Sequence, residues 1–359
     1  MTIYMINLVL VIISSILSEK ALKSEHKNKK VYSFIFMSVG LLSLILVSGF
    51  RYKVGTDYSN YSEIYTAFGP DKVNWFESEF GFDFLMKSLY KISENPQIFF
   101  FLSSIIINTV IVIFLRKYSK DFSLSMYFYI TTFVYYGTMN GLRQYLASVI
   151  LISGFKHLLN RNFKKYFLFI IIASLFHQSA LIFILIYFTA NKKIESFTNI
   201  IIFGTFSLAF IFYQQFVDVL FNLIGTSQYS NYESIMHDTS NGANILRIAV
   251  WVIPIVIILL YKKRAMLVFG ERLNVILNLC ILGALFMCLA YRHVFFARFC
   301  MYFDVYYLLL LPKICSMFDE KNNKFFRIVM VSGYFLYSTM LLLSGESWIY
   351  PYKYNFNLF

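Results

Sequence analysis

The stretch QIFFFLSSIIINTVIVIFL, residues 97–115, carries no charge. A hydrocarbon layer about 30 Å thick takes roughly 20 helical residues to cross, and the main-chain polar groups of such a run must be satisfied within the helix. Comparable apolar runs lie near 2–18, 31–49, 122–139, 141–155, 162–176, 178–191, 198–215, 247–261, 273–291, 299–315 and 328–345. The chain has 359 residues, of which 58% are hydrophobic and 14% charged. The expected fold is therefore an all-α polytopic membrane protein with about 12 transmembrane helices in one domain, residues 1–359. The alternating strands of a membrane barrel, a soluble domain and internal repeats are not seen in the sequence. No basic residue precedes the first run and no small-residue cleavage site follows it, so it is expected to stay as a span.

A formal charge of +13 raises nucleic acid as a partner, but the placement of the charges points to membrane topology instead. With the N-terminus outside, the loops 19–30, 116–121, 156–165, 192–193, 261–272 and 313–327 are cytoplasmic and hold 22 of the 32 Lys and Arg. The two longest loops, 50–96 and 216–246, then face outward. The segment KKYFLFIIIASLFHQSALIFILIYFTANKK reads as one long helix or as two short ones meeting near His177. One helix would put Lys192, Lys193, Lys262, Lys263, Arg264 and the later cytoplasmic charges outside, so charge bias favours two. Each would reach only about 24 Å at 1.5 Å per residue, as in a thinned or re-entrant hairpin sheltered by other helices.

The cytoplasmic loops hold 17 Lys and five Arg, whereas the outer side holds five of each. The outer arginines are Arg51, Arg143, Arg247, Arg292 and Arg298, all within a few residues of a span end. A guanidinium stays ionised and offers a planar fork of donors to phosphate oxygens, so these five are candidates for gripping a pyrophosphate; snorkelling or pairing with loop carboxylates is the structural alternative. In FRYKVGTDYSNYSEIYTAF, residues 50–68, Gly55 allows a turn, Thr56 or Asp57 can cap a helix, and Tyr58, Tyr61 and Tyr65 share one face. That face is either a membrane-edge belt or a surface for stacking sugar rings. Asp57 is either a bare cap or a carboxylate near Arg51 that orients or deprotonates a sugar hydroxyl. The stretch ESEFGFDFLMKSLYKISENP is amphipathic through Phe82, Leu85, Met86, Leu89 and Tyr90, with Glu79 and Asp83 one turn apart as binding candidates. MNGLRQYLASVILISGF opens with Arg143 and Gln144, and small Ala147 leaves room beside the guanidinium. His177 is either structural or a proton-transfer group. Asp304 and the thiols of Cys280, Cys288, Cys300 and Cys315 read as structural. Phosphate-loop and dinucleotide glycine patterns, HExxH, GxSxG and DxD are absent from the sequence, so nucleotide-driven transport is unsupported and no metal or cofactor is expected.

Five pieces together resemble a known family: FRYKVGTDYSNY, ESEFGFDFLMKSL, GLRQYLASVI, LFHQSALI and ARFCMYF. The chain is similar to the EpsG-like branch of the bacterial O-antigen and exopolysaccharide repeat-unit polymerases, the Wzy class. Residues 192–290 add little to that resemblance beyond hydropathy. It implies a GT-C-like glycosyltransferase in the bacterial cytoplasmic (inner) membrane with its active site on the outer face. Such an enzyme moves a glycan from undecaprenyl pyrophosphate to the non-reducing-end sugar of another lipid-linked repeat unit, with no nucleotide. The implied roles are Asp57 or His177 for the attacking hydroxyl; Arg51, Arg143 and Arg298, with Arg247 and Arg292, for pyrophosphate; and Tyr58, Tyr61, Tyr65, Glu79 and Gln144 for sugar. The implied partners are lipid-linked oligosaccharides and membrane lipids, with a chain-length regulator as a further candidate and no nucleic acid. A lipid-linked repeat-unit flippase is the competing class, although the polar candidates gather at one face. A membrane O-acetyltransferase would need an acyl-donor site that the sequence does not suggest.

Overall fold

Two long apolar helices start the chain, α1 (Thr2–Lys23) and α2 (Lys29–Gly49). Small and polar residues line their seam, which lets the backbones approach closely where no water competes for hydrogen bonds. A Cβ at Gly40 would collide with the Ser14 hydroxyl. Ser18 Oγ donates to the Ser33 carbonyl (2.8 Å) and Ser43 Oγ donates to Asn7 Oδ1 (2.7 Å). Next in chain order come α3 (Tyr58–Ala67), α4 (Phe80–Tyr90), α5 (Gln97–Tyr118), α6 (Phe122–Thr131), α7 (Val134–Gly137), α8 (Leu142–Ser153), α9 (Phe155–Leu159) and α10 (Phe163–Ser174). Asn108 of α5 knits the interior: its Nδ2 donates to the Ser104 carbonyl (2.9 Å), and its Oδ1 accepts from Tyr129 (2.9 Å) on α6.

This computed structural model describes residues 1–67, 79–224, 236, 242–318 and 320–359, and among them it is all-helical with no strand. The described residues cluster into two compact units, Met1–Ile184 with Leu311–Phe359, and Leu185–Leu310. Four helices are long and apolar enough to cross a membrane alone: α1, α2, α5 and Asn322–Leu343. Counting each bent helix pair as one span raises the number to seven. The apolar helices Leu142–Ser153, Gln178–Ala190 and Leu273–Leu289 are shorter than the roughly 20 residues a full crossing takes. Several expected runs are thus broken rather than continuous. The 122–139 run breaks at Phe133, whose φ is 73°, and the 198–215 run bends by 105° between Phe197–Ile211 and Tyr213–Asn222. Hydropathy registers apolar composition, and the breaks lie within apolar sequence.

In the first unit one helix end is closed by residues 348–358. Gly55 N–H donates to the Trp348 carbonyl, Tyr52 N–H to Lys353 and Asn355 N–H to Phe50, each at 2.9 Å. Tyr4 donates to the Ile349 carbonyl (2.6 Å), Asn95 to Asn357 (3.1 Å) and Ser93 to Leu358 (2.8 Å). The other end of these helices is fastened by charge. Asp121 caps α6 through the Leu124 N–H (2.9 Å), Glu19 accepts from the Phe122 N–H (2.8 Å), and Arg327 pairs with Asp121 (3.2 Å). Two carboxylates at a helix N-terminus complement its unpaired N–H groups and its dipole.

The second unit is built on the largely buried helix Leu273–Leu289. Asn278 on that helix donates to the carbonyls of Ala190 (2.9 Å) and Lys192 (2.8 Å) and accepts from Asn199 (3.0 Å). The expected outer loop 216–246 starts as helix Tyr213–Ile224; residues 225–235 and 237–241 lie outside the described residues.

Candidate functional site

Where α10 ends and α4 begins, each helix supplies what the other lacks. A helix leaves its first N–H and last C=O groups without intrahelical partners. The N–H groups of Gly81 (2.8 Å) and Phe82 (3.4 Å) both donate to the carbonyl of Leu175, just past α10. Contact this close requires glycine: a Cβ at position 81 would lie 2.9 Å from Leu175 Cβ and 3.1 Å from its carbonyl oxygen. Gly81→Val is therefore expected to open this junction, at a cost of about 1–3 kcal/mol for the forced backbone shift. Thermal unfolding of the detergent-solubilised protein measures that cost.

The junction brings together side chains far apart in sequence. Beyond Leu175 the chain leaves the helix, and His177 takes extended geometry (φ −158°, ψ 117°). Glu79, just before α4, does not cap its own helix. Its Oε1 instead lies 2.6 Å from His177 Nδ1 and accepts from the Gln178 N–H (3.0 Å), while its Oε2 lies 3.5 Å from Arg143 Nη1. Arg143, in the first turn of α8, lies with its guanidinium 4.5 Å from the Phe82 ring centre and 6.0 Å from that of Tyr61. The Glu79 side chain is 1% exposed, whereas those of Arg143 and His177 retain 28% and 17% exposure. A carboxylate at Nδ1 accepts that ring proton and leaves the Nε2 lone pair of the neutral imidazole free. The arrangement thus offers a held base next to a partly exposed cation, both anchored on a buried anion.

Asp83 lies one turn beyond Glu79 and is buried at 3% exposure, with Oδ2 lacking a hydrogen-bond partner. Burial pushes its carboxyl up from the usual range, and the charges of Arg143 and Lys87 oppose that shift. Gln144 is also buried, and its Oε1 has no partner.

Other expected site residues are placed differently. Arg51 is 1% exposed, so it presents no open fork. Its Nη2 donates to the Met139 carbonyl at 2.8 Å and its Nη1 to that of Ser48, while Phe100 covers it at 4.8 Å. It fastens the end of α2 to the turn before α8. Among the described residues Asp57 makes no ion pair with Arg51; it accepts from the Thr56 hydroxyl at 3.2 Å. Tyr58, Tyr61 and Tyr65 do share one face, but that face is turned into the protein. Tyr58 stacks on Phe100 at 4.2 Å and Tyr65 donates to the Ser93 carbonyl at 2.6 Å, so their rings are packed rather than offered to a sugar.

Arg247, Arg292 and Arg298 belong to the second unit. Arg292 donates from Nε to the Phe210 carbonyl (3.2 Å), with its guanidinium 4.7 Å from that ring's centre. Arg298 is exposed, and Arg247 is half-buried within electrostatic reach of Cys300, as is Asp304. Among the described residues no group of three or more His, Cys, Asp or Glu is arranged to hold a metal ion.

Sequence reasoning named Glu79, Arg143 and His177 separately and missed their meeting, together with the Gly81–Leu175 junction beneath it. The glycine directly before Phe82-Asp83 was the one local sign of a close approach. In comparison with protein families, the model of the EpsG family matches residues 34–354. No curated protein and no solved structure matches the chain.

Proposed function

The chain belongs to the EpsG family, and from that premise we propose that it is a membrane polysaccharide polymerase acting on lipid-linked repeat units at the outer face of the cytoplasmic membrane. The acceptor is a hydroxyl on the non-reducing-end sugar of one unit. The donor is a glycan on undecaprenyl pyrophosphate. His177 takes the hydroxyl proton at Nε2 as the acceptor oxygen bonds to the donor's anomeric carbon. The bond from that carbon to the pyrophosphate oxygen breaks, and its electron pair leaves with the lipid pyrophosphate. Direct displacement of this kind inverts the anomeric configuration. Glu79 orients the imidazole and balances its charge after proton transfer. Arg143 stabilises the charge that grows on the departing phosphate. The sugar–phosphate bond supplies the driving force, so neither nucleotide nor metal is required.

The observation that carries this reading is the Glu79 carboxylate shared between His177 and Arg143, with both of those side chains partly exposed. In this proposal the protein is a GT-C-like glycosyltransferase with about twelve transmembrane helices, the short and broken apolar helices among them.

Reconstitution of the purified protein with its own lipid-linked repeat unit, without added nucleotide or metal, tests the reading. Polymer is expected from the wild type. Arg143→Ala should lower its rate about 10²–10³-fold, the usual scale for losing one preorganised charge stabiliser. Arg143→Lys should recover only part of that, because an ammonium lacks the planar fork. Absence of polymer, with lipid-linked units accumulating on the inner face of cells lacking the protein, would point to a flippase.

A further inference from the structure

We propose that Asp83 binds the glycan, its Oδ2 accepting a hydrogen bond from a sugar hydroxyl. This rests on the polymerase reading for the identity of the ligand. A carboxylate oxygen out of water with no donor is costly, and an apolar side chain in its place would carry no such cost. Asp83 is 3% exposed, and its Oδ2 has no partner. The neighbouring carboxylate shows the contrast: both oxygens of Glu79 are engaged within the protein, by His177 and Gln178 on one side and Arg143 on the other. Asp83 lies one turn further on, within α4, with the charges of Arg143 and Lys87 acting on it. Oligosaccharides present hydroxyl donors in abundance, and a hydroxyl can fill an acceptor position without bringing in a second charge. A phosphate cannot play that part, since two anions would meet. The same chemistry suits a hydroxyl on the donor or on the acceptor sugar.

The test measures the affinity of the purified protein for its lipid-linked repeat unit and, separately, for the soluble oligosaccharide of the same repeat, beside polymer formation and thermal unfolding. Asp83→Ala should weaken glycan binding about 10–100-fold, the loss expected for a hydrogen bond to a charged acceptor. Asp83→Asn, which keeps one acceptor oxygen, should fall between the two. Neither variant should unfold at a lower temperature than wild type, because each removes a buried carboxylate oxygen that has no hydrogen-bond partner. A loss confined to the lipid-linked unit assigns Asp83 to the donor sugar; a loss for both ligands assigns it to the acceptor. Unchanged affinity in Asp83→Ala overturns the proposal. So does weakened binding that accompanies a fall in unfolding temperature in both variants, which would make Asp83 a packing residue. Wild-type protein that binds glycan through Asp83 yet makes no polymer overturns the polymerase reading alone.

Discussion

His177→Asn is expected to reduce polymer formation by about 10²–10⁴-fold while leaving the protein folded. That range is what a positioned general base contributes. The choice of asparagine matters. Glu79 is buried, and its Oε1 is held by His177 Nδ1 at 2.6 Å and by the Gln178 N–H at 3.0 Å. Alanine at 177 would strip one partner from a buried carboxylate and confound lost chemistry with lost stability. The asparagine amide can still donate toward Glu79 from near the Nδ1 position, but it has no basic nitrogen in place of Nε2. Reconstituted turnover beside thermal unfolding separates the two effects. Normal polymer from His177→Asn would remove the histidine from the mechanism and return attention to Asp57. Loss of polymer with an unchanged unfolding temperature would support the proton transfer proposed for it.

Arg51→Met should behave in the opposite way, losing stability first and activity only as a consequence. The guanidinium is fully enclosed, and its ends are spent on the carbonyls of Ser48 and Met139. Methionine fills much of the same volume but donates nothing, leaving two buried carbonyls to seek new partners. At about 1–3 kcal/mol for each unsatisfied group, the loss is a large share of an ordinary folding free energy. Relief from burying a charge offsets part of it. A marked fall in unfolding temperature and in the yield of monodisperse protein is the expected result. Thermal unfolding monitored by size-exclusion chromatography checks it. A stable but inactive Arg51→Met protein would restore Arg51 as a direct ligand of phosphate.

The contrast between these two residues shows what the sequence could reveal. Arg51 and Arg143 look alike as text, since each is an arginine beside an apolar run. Their difference lies in what surrounds them. Met139 O receives Arg51 from 88 positions away, and main-chain carbonyls leave no trace in a residue string. The tyrosine face of α3 was legible as a spacing, because 3.6-residue periodicity puts Tyr58, Tyr61 and Tyr65 together. What covers that face was not, because Phe99 and Phe100 come from α5. Likewise the polarity and position of Glu79 and His177 marked them as candidates, but 98 residues separate them, and only the junction of α4 with α10 sets them 2.6 Å apart. The helical class and the apolar segments were readable because composition alone decides them. Breaks such as the one at Phe133 were not, because they depend on tertiary packing.

The strap of residues 348–358 has a consequence for how the protein is made. Ribosomes deliver the chain from its N-terminal side, so the turn at Arg51 leaves the exit tunnel almost three hundred residues before the carbonyls of Trp348 and Lys353 that receive the N–H groups of Gly55 and Tyr52. Through most of synthesis the membrane holds α1 and α2 already paired, with that end still lacking its last strand of backbone. The closed state therefore arises only after late synthesis, and until then the open end is a place where a chaperone can hold the nascent chain or a protease can reach it.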